Sequence, residues 1–128
     1  MERLLLVALG GALGSVARYL TGVGALRLLH LRAPGSGTFI VNLAGGLLMG
    51  LLVGWLAHRG GADQDRWRMF LAIGVLGGFT TFSSFSLDAA LMIQRRDWAI
   101  AGAYIAGSVV LSIAALFVGL MAARRLFA

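Results

Sequence analysis

Hydrophobic positions along the chain gather into four long uncharged runs, Leu4 to Ala17, Ala33 to Ala57, Met69 to Leu87 and Trp98 to Ala123, separated by short arginine-bearing segments. A helix needs about 20 predominantly apolar residues to cross the hydrocarbon of a bilayer. The last three runs meet that length unaided. The first is shorter, but it can continue through Arg18 to about Gly24 if that guanidinium snorkels to the interface or faces a watery vestibule. The pattern therefore predicts an all-α integral membrane protein. Residues 1–128 form a single domain of four transmembrane helices, near 4–24, 36–57, 67–94 and 98–123. The first run lacks a convincing small-residue cleavage site and is followed by three runs of similar character, so it reads as a span rather than a cleaved signal peptide.

Composition agrees with this pattern. The chain is 59% hydrophobic with a single proline, and its mean hydropathy is +0.89. These values fit a membrane protein rather than a soluble domain. Cysteine is absent, so no disulfide, thiol chemistry or thiolate metal site arises. The net charge of +6 could suggest nucleic acid, but every cation is an arginine placed at a helix end. Four spans put Arg3, Arg59, Arg66, Arg68, Arg124 and Arg125 on one side of the membrane and Arg18, Arg27, Arg32, Arg95 and Arg96 on the other. The bias of positive charge that fixes orientation is then almost cancelled, and dual topology is expected. If Arg18 is no orientation signal, six against four remain, with a modest preference for both termini in the cytoplasm.

The third run contains a stretch that a lipid-facing helix has no reason to carry, Gly77-Gly78-Phe79-Thr80-Thr81-Phe82-Ser83-Ser84-Phe85. Two adjacent glycines weaken a helix, and the four hydroxyls after them can draw backbone hydrogen bonds away from the i to i−4 ladder. The third helix is expected to break between about residues 76 and 81, near the membrane midplane. Freed backbone groups at that depth are tolerated where they are buried in protein or line a wet or ion-filled cavity, which points towards an ion or substrate site. A kink against a neighbouring helix is the alternative.

Four short helices cannot enclose a substantial pathway alone, so an oligomer is expected. Gly46, Gly50 and Gly54 on the second helix, and Gly10 and Gly14 on the first, allow close helix approach in lipid. Packing within one chain and packing between chains explain these glycines equally well. Two copies inserted in opposite orientations would form an antiparallel homodimer with its axis in the membrane plane.

Three strings resemble the Fluc (CrcB) fluoride channel family: Gly10-Gly11-Ala12-Leu13-Gly14-Ser15-Val16-Ala17-Arg18-Tyr19, Gly37-Thr38-Phe39-Ile40-Val41-Asn42-Leu43-Ala44-Gly45, and the run from Gly77 to Phe85. The resemblance spans essentially the whole chain. It implies a dual-topology homodimer in the bacterial plasma membrane through which fluoride leaves the cell passively, lowering its cytoplasmic toxicity. It also implies that Phe82, Phe85 and Asn42 line the fluoride path. The main-chain carbonyls of Gly77 and Thr80 match positions that hold a structural sodium ion, which is not transported.

The residues are compatible with such a path. Fluoride is strongly hydrated, so a selective route must replace its water with hydrogen-bond donors. The candidate donors are Asn42, Thr38, Thr81, Ser83, Ser84, Tyr104, Ser108 and Ser112, with Arg18 at a vestibule. Tyr104, Ser108 and Ser112 recur every four residues and form one stripe of the fourth helix; interhelical hydrogen bonding accounts for that stripe equally well. Phe82 and Phe85 share a helical face, and their ring edges carry positive quadrupole density that an anion can approach in the ring plane. Packing is the ordinary role of such a pair. The nearest acid, Asp88, reads as lying at the edge of the third span.

Other functions are weighed on the same residues. A small dual-topology multidrug-type exporter has similar length, but needs a membrane-embedded carboxylate to exchange protons for cations, which the runs lack. A non-transporting assembly subunit would use the glycines and the polar stripe for packing. No His, Ser and acid constellation lies at membrane depth, and His30 and His58 read as loop residues, so an enzyme is not expected.

Overall fold

The computed structural model describes residues 1–59 and 61–127. Their helices are α1 (Glu2–Leu28), α2 (Ser36–Arg59), α3 (residues 64–79), α4 (Phe82–Gln94) and α5 (Trp98–Phe127). Together α3 and α4 make up the third apolar span, Gln64–Gln94, and all four spans are long and apolar enough to cross a membrane. The helices extend past their uncharged runs: α1 continues through Arg18 to Leu28, and α5 includes Arg124 and Arg125. Arginine is a good helix former whose long stem keeps the charge near the interface, so a charge does not end a helix.

The bundle is assembled from two closely packed pairs. Helix α2 lies along α5, with Gly46, Gly50 and Gly54 facing the backbone of α5. A Cβ on Gly46 would stand 2.7 Å from the Ser112 carbonyl oxygen, while one on Gly50 would run into the Leu116 carbonyl and one on Gly54 into the Ala123 methyl. Gly119 closes on Leu47 and Gly50 from the other side. Helix α1 lies along α3 in the same manner. A Cβ on Gly10 would approach the Phe70 carbonyl oxygen to 2.5 Å, and one on Gly14 would overlap the Val75 carbonyl. Both glycine stripes are therefore engaged in packing within the chain, where small residues let helix backbones approach in lipid.

Helix α3 is unusual along its length. A turn of α-helix at Gln64–Trp67 leads into nine residues of π-helix, Arg68–Leu76, whose end is marked by the Gly77 N–H bonding back to the Ala72 carbonyl. One more turn, Gly77–Phe79, completes it. The following residues, Thr80 (φ −80°, ψ 157°) and Thr81 (φ −150°, ψ 118°), are extended, and α4 starts at Phe82.

The connections are short. Arg96 adopts a left-handed conformation (φ 61°) between α4 and α5, and Gly35 (φ 75°) ends the α1–α2 connection where a Cβ would run into the Tyr104 ring. At the opposite end of the bundle, Arg3 pairs with Asp65 at 2.7 Å and Arg66 with Glu2 at 2.7 Å, joining the start of α1 to the start of α3.

Candidate functional site

The geometry of the site follows from how Thr80 and Thr81 satisfy their polar groups. In an uninterrupted helix the Thr81 N–H would bond the Gly77 carbonyl four residues back. Here it donates instead to Asn42 Oδ1 at 2.8 Å, and Asn42 Nδ2 donates to the Thr81 carbonyl at 2.9 Å. One side-chain amide on α2 thus clamps both backbone groups of a buried residue, mimicking the pairing of a neighbouring strand. The Thr81 hydroxyl oxygen accepts from the Ser84 N–H at 3.2 Å and caps α4. It also lies 3.2 Å from the hydroxyls of Ser83 and Ser84. Upstream, both the N–H and the hydroxyl of Thr80 bond the Leu76 carbonyl, each at 3.0 Å.

Two main-chain oxygens lose their helical partners through this arrangement. The N–H that would serve Gly77 is held by Asn42, and the N–H that would serve Thr80 is held by the Thr81 hydroxyl. Gly77 and Gly78 are themselves helical, so the expectation that their flexibility interrupts the helix is corrected. Their lack of side chains serves packing at Gly78, where a Cβ would stand 2.5 Å from the Gly11 carbonyl oxygen. The extended backbone falls on the two threonines, whose side chains and Asn42 supply the replacement hydrogen bonds.

A groove of about 390 Å³ opens beside this segment, lined by Asn42, Thr80, Thr81, Phe82, Phe85, Ser108 and Ser112, with apolar walls from Met49, Val109, Ile113 and Leu116. The Phe82 and Phe85 rings lie 5.5 Å apart and tilted by 45°, and Phe85 continues to Tyr104 at 5.4 Å. Phe82 stands on the rim, 78% exposed. Ser108 is buried and its hydroxyl has no hydrogen-bond partner among the described residues. A buried, unpartnered hydroxyl lining a groove is a donor available to whatever enters.

The remaining sequence candidates fall around this groove. Ser83 is exposed and Ser84 half-buried. Tyr104, one turn from Ser108, donates its phenolic O–H to Asp88 Oδ2 at 3.2 Å, and Thr38 lies beside the same phenol. Arg18 is half-buried on α1 and does not line the groove, and Gly77 is exposed outside it. Asp88 lies half-buried inside α4, which runs on to Gln94. Its spacing was the available signal: three residues beyond Phe85 and seven beyond Thr81, it shares their helical face. Among the described residues no group of three or more His, Asp or Glu side chains could hold a metal.

Four apolar spans around a mostly apolar groove that holds an unpartnered buried hydroxyl define a multi-pass membrane protein with its site within the spans. The chain belongs to the family described as CrcB-like protein, Camphor Resistance (CrcB), whose model matches residues 5–120. It is 65% identical over 127 residues to the fluoride-specific ion channel FluC of Caulobacter sp. (strain K31), covering 99% of this chain and 98% of that protein. Identity to the proteins of the same name is 62% in Caulobacter vibrioides (strain NA1000 / CB15N) and 54% in Hyphomonas neptunium, in both cases over the whole of each chain.

Proposed function

We propose that this protein is a fluoride-specific channel that allows passive fluoride efflux across the bacterial inner membrane and works as an antiparallel, dual-topology homodimer. The observation that carries the reading is full-length similarity to proteins named fluoride-specific ion channels, and the groove gives it a chemistry. Fluoride leaving water meets the unpartnered Ser108 hydroxyl, the Ser112 hydroxyl and the second N–H of Asn42, whose first is occupied by Thr81. The edges of Phe82 and Phe85 offer positive quadrupole density without a competing cation. Asp88 engages the O–H of Tyr104, which leaves Ser108 and Ser112 as the donors of the stripe on α5. Thr38 and Arg18 belong to the approaches to the path, and Ser83 and Ser84 to the cap that holds α4.

The break of the third span is proposed to lie near the membrane midplane, where a second copy meets it across the dimer axis. The exposure of Phe82, Ser83 and Gly77 on an isolated chain supports a partner at this face. The main-chain oxygens of Gly77 and Thr80, deprived of helical donors, fit a hard cation that takes oxygen ligands. They are the groups that would hold a structural sodium ion, which supplies fixed positive charge to carbonyl dipoles and is not itself carried.

Reconstitution in liposomes with fluoride and chloride electrodes tests the activity. Rapid fluoride release with chloride retained is expected, and equal release of both or of neither refutes it. Tags on the carboxy terminus of intact cells should be labelled from both sides of the membrane; labelling of a single face in every copy would refute dual topology while leaving the channel reading intact.

A further inference from the structure

At the end of the bundle where α2 meets α3, two adjoining cavities of about 550 and 190 Å³ share Leu56, Gly61, Ala62 and Gln64. The larger has an apolar wall of Val53, Leu56, Ala57 and Ala72, and a polar mouth of Gln64, Asp65 and Arg68. The smaller is bounded by Arg59, Asp63 and Trp67. A cavity that is apolar towards the middle of the spans and cationic at their end has the polarity of a lipid, not of a soluble metabolite.

The charges at this end are unevenly satisfied. Arg3 takes Asp65, and Arg66 takes Glu2 at 2.7 Å and Asp63 at 3.8 Å. All three local carboxylates are thereby engaged. Arg59 and Arg68 have no carboxylate partner among the described residues. The Arg59 guanidinium instead rests 4.8 Å from the centroid of the Trp55 ring, which meets the Trp67 ring edge-on at 6.2 Å. Tryptophan prefers the headgroup level of a bilayer, and arginine is suited to phosphate because its fork presents two parallel N–H donors.

The geometry points to a binding site for an anionic glycerophospholipid, its phosphate held at the mouth by Arg68 and Arg59 and an acyl chain lying along Val53, Ala57 and Ala72. The site is separate from the fluoride groove, and none of its residues lines that groove.

Native mass spectrometry of the purified protein, exchanged into detergent with either phosphatidylglycerol or phosphatidylcholine, tests this assignment. The expected result is retention of phosphatidylglycerol at one lipid per chain, with at least tenfold weaker retention of phosphatidylcholine. The double variant Arg59→Gln with Arg68→Gln should reduce phosphatidylglycerol to the phosphatidylcholine level, while Arg32→Gln, in the connection at the other end of the bundle, should not. Ala57→Phe fills the apolar wall and leaves both arginines in place; it should also release the lipid. Inorganic phosphate added at millimolar concentration should not displace the lipid, and displacement would assign the mouth to free phosphate. Equal retention of the two lipids, retention unaffected by the double variant, or dissociation of an oligomer in place of lipid loss would each overturn the proposal. Fluoride flux plays no part in this readout, so failure here and failure of the channel reading are distinguishable.

Discussion

Replacing Asn42 by alanine isolates the clamp on Thr81. The change removes two hydrogen bonds, at 2.8 and 2.9 Å, and strands an N–H and a carbonyl on a residue that is 8% exposed. A buried polar group left without a partner costs about 1–3 kcal/mol, so the extended conformation loses about 2–6 kcal/mol in total. The freed Thr81 N–H can recover a partner by returning to the Gly77 carbonyl, which would make the third span continuous. Since each 1.4 kcal/mol or so is a tenfold change in an equilibrium, Asn42→Ala should lower fluoride flux by tenfold or more. Asn42→Asp keeps the acceptor for the Thr81 N–H but turns a carboxylate oxygen towards the Thr81 carbonyl, adding repulsion and a negative charge beside an anion path. It should be the more damaging change. The assay pairs fluoride efflux from liposomes with hydrogen exchange of the peptide containing Thr81, which reports the clamp itself. Wild-type exchange in Asn42→Ala would show that the amide does not hold the backbone, and wild-type flux despite altered exchange would show that the clamp is irrelevant to conduction.

Three further outcomes are expected. Phe82→Ile and Phe85→Ile keep bulk but remove the electropositive ring edge, so flux should fall severalfold while protein yield survives; unchanged flux would return both rings to packing. Gly50→Ala drives a methyl into the Leu116 carbonyl, and the forced separation of α2 from α5 should cost about 1–3 kcal/mol, read as a lower thermal midpoint in detergent. Gly11→Ala, where a Cβ meets nothing within 4 Å, serves as the control and should melt like the parent. Exchange of sodium for N-methylglucamine at constant ionic strength should lower thermal stability and flux together, because an ion that binds only the native assembly stabilises it by mass action; indistinguishable melting and flux after thorough sodium removal would end the structural-cation proposal.

The four spans were legible because lipid imposes length and apolarity on any segment that crosses it, and the chain obeys both from Leu4 to Ala123. The placement of the break was legible only to within a few residues. Glycine announces where a backbone can bend, but Gly77 and Gly78 stay helical, Gly78 packing α3 on α1, and the extended pair became Thr80 and Thr81 because Asn42, far away in sequence, could replace the hydrogen bonds of Thr81. No local pattern contains that contact. The same limit applied to Asp88, whose hydrogen bond to Tyr104 on α5 no local charge pattern contains. The stripe of Tyr104, Ser108 and Ser112 was visible as a stripe, but its division of labour was not, since that depends on which hydroxyl finds a partner: Tyr104 has Asp88, and Ser108 has none among the described residues.

The bare carbonyls of Gly77 and Thr80 carry a consequence for assembly inside the bilayer. Hydrocarbon offers no hydrogen bonds, and each unsatisfied backbone group exposed to it costs several kcal/mol. Association in lipid gains little from burying apolar surface, because the tails are as oily as the side chains they replace. A lone subunit drifting in the membrane is thus penalised by its own main chain, and whatever ligates or wets those two oxygens lifts the penalty. In the proposed homodimer the interruption would then act as the adhesive, making oligomerisation and the competence to conduct a single thermodynamic event.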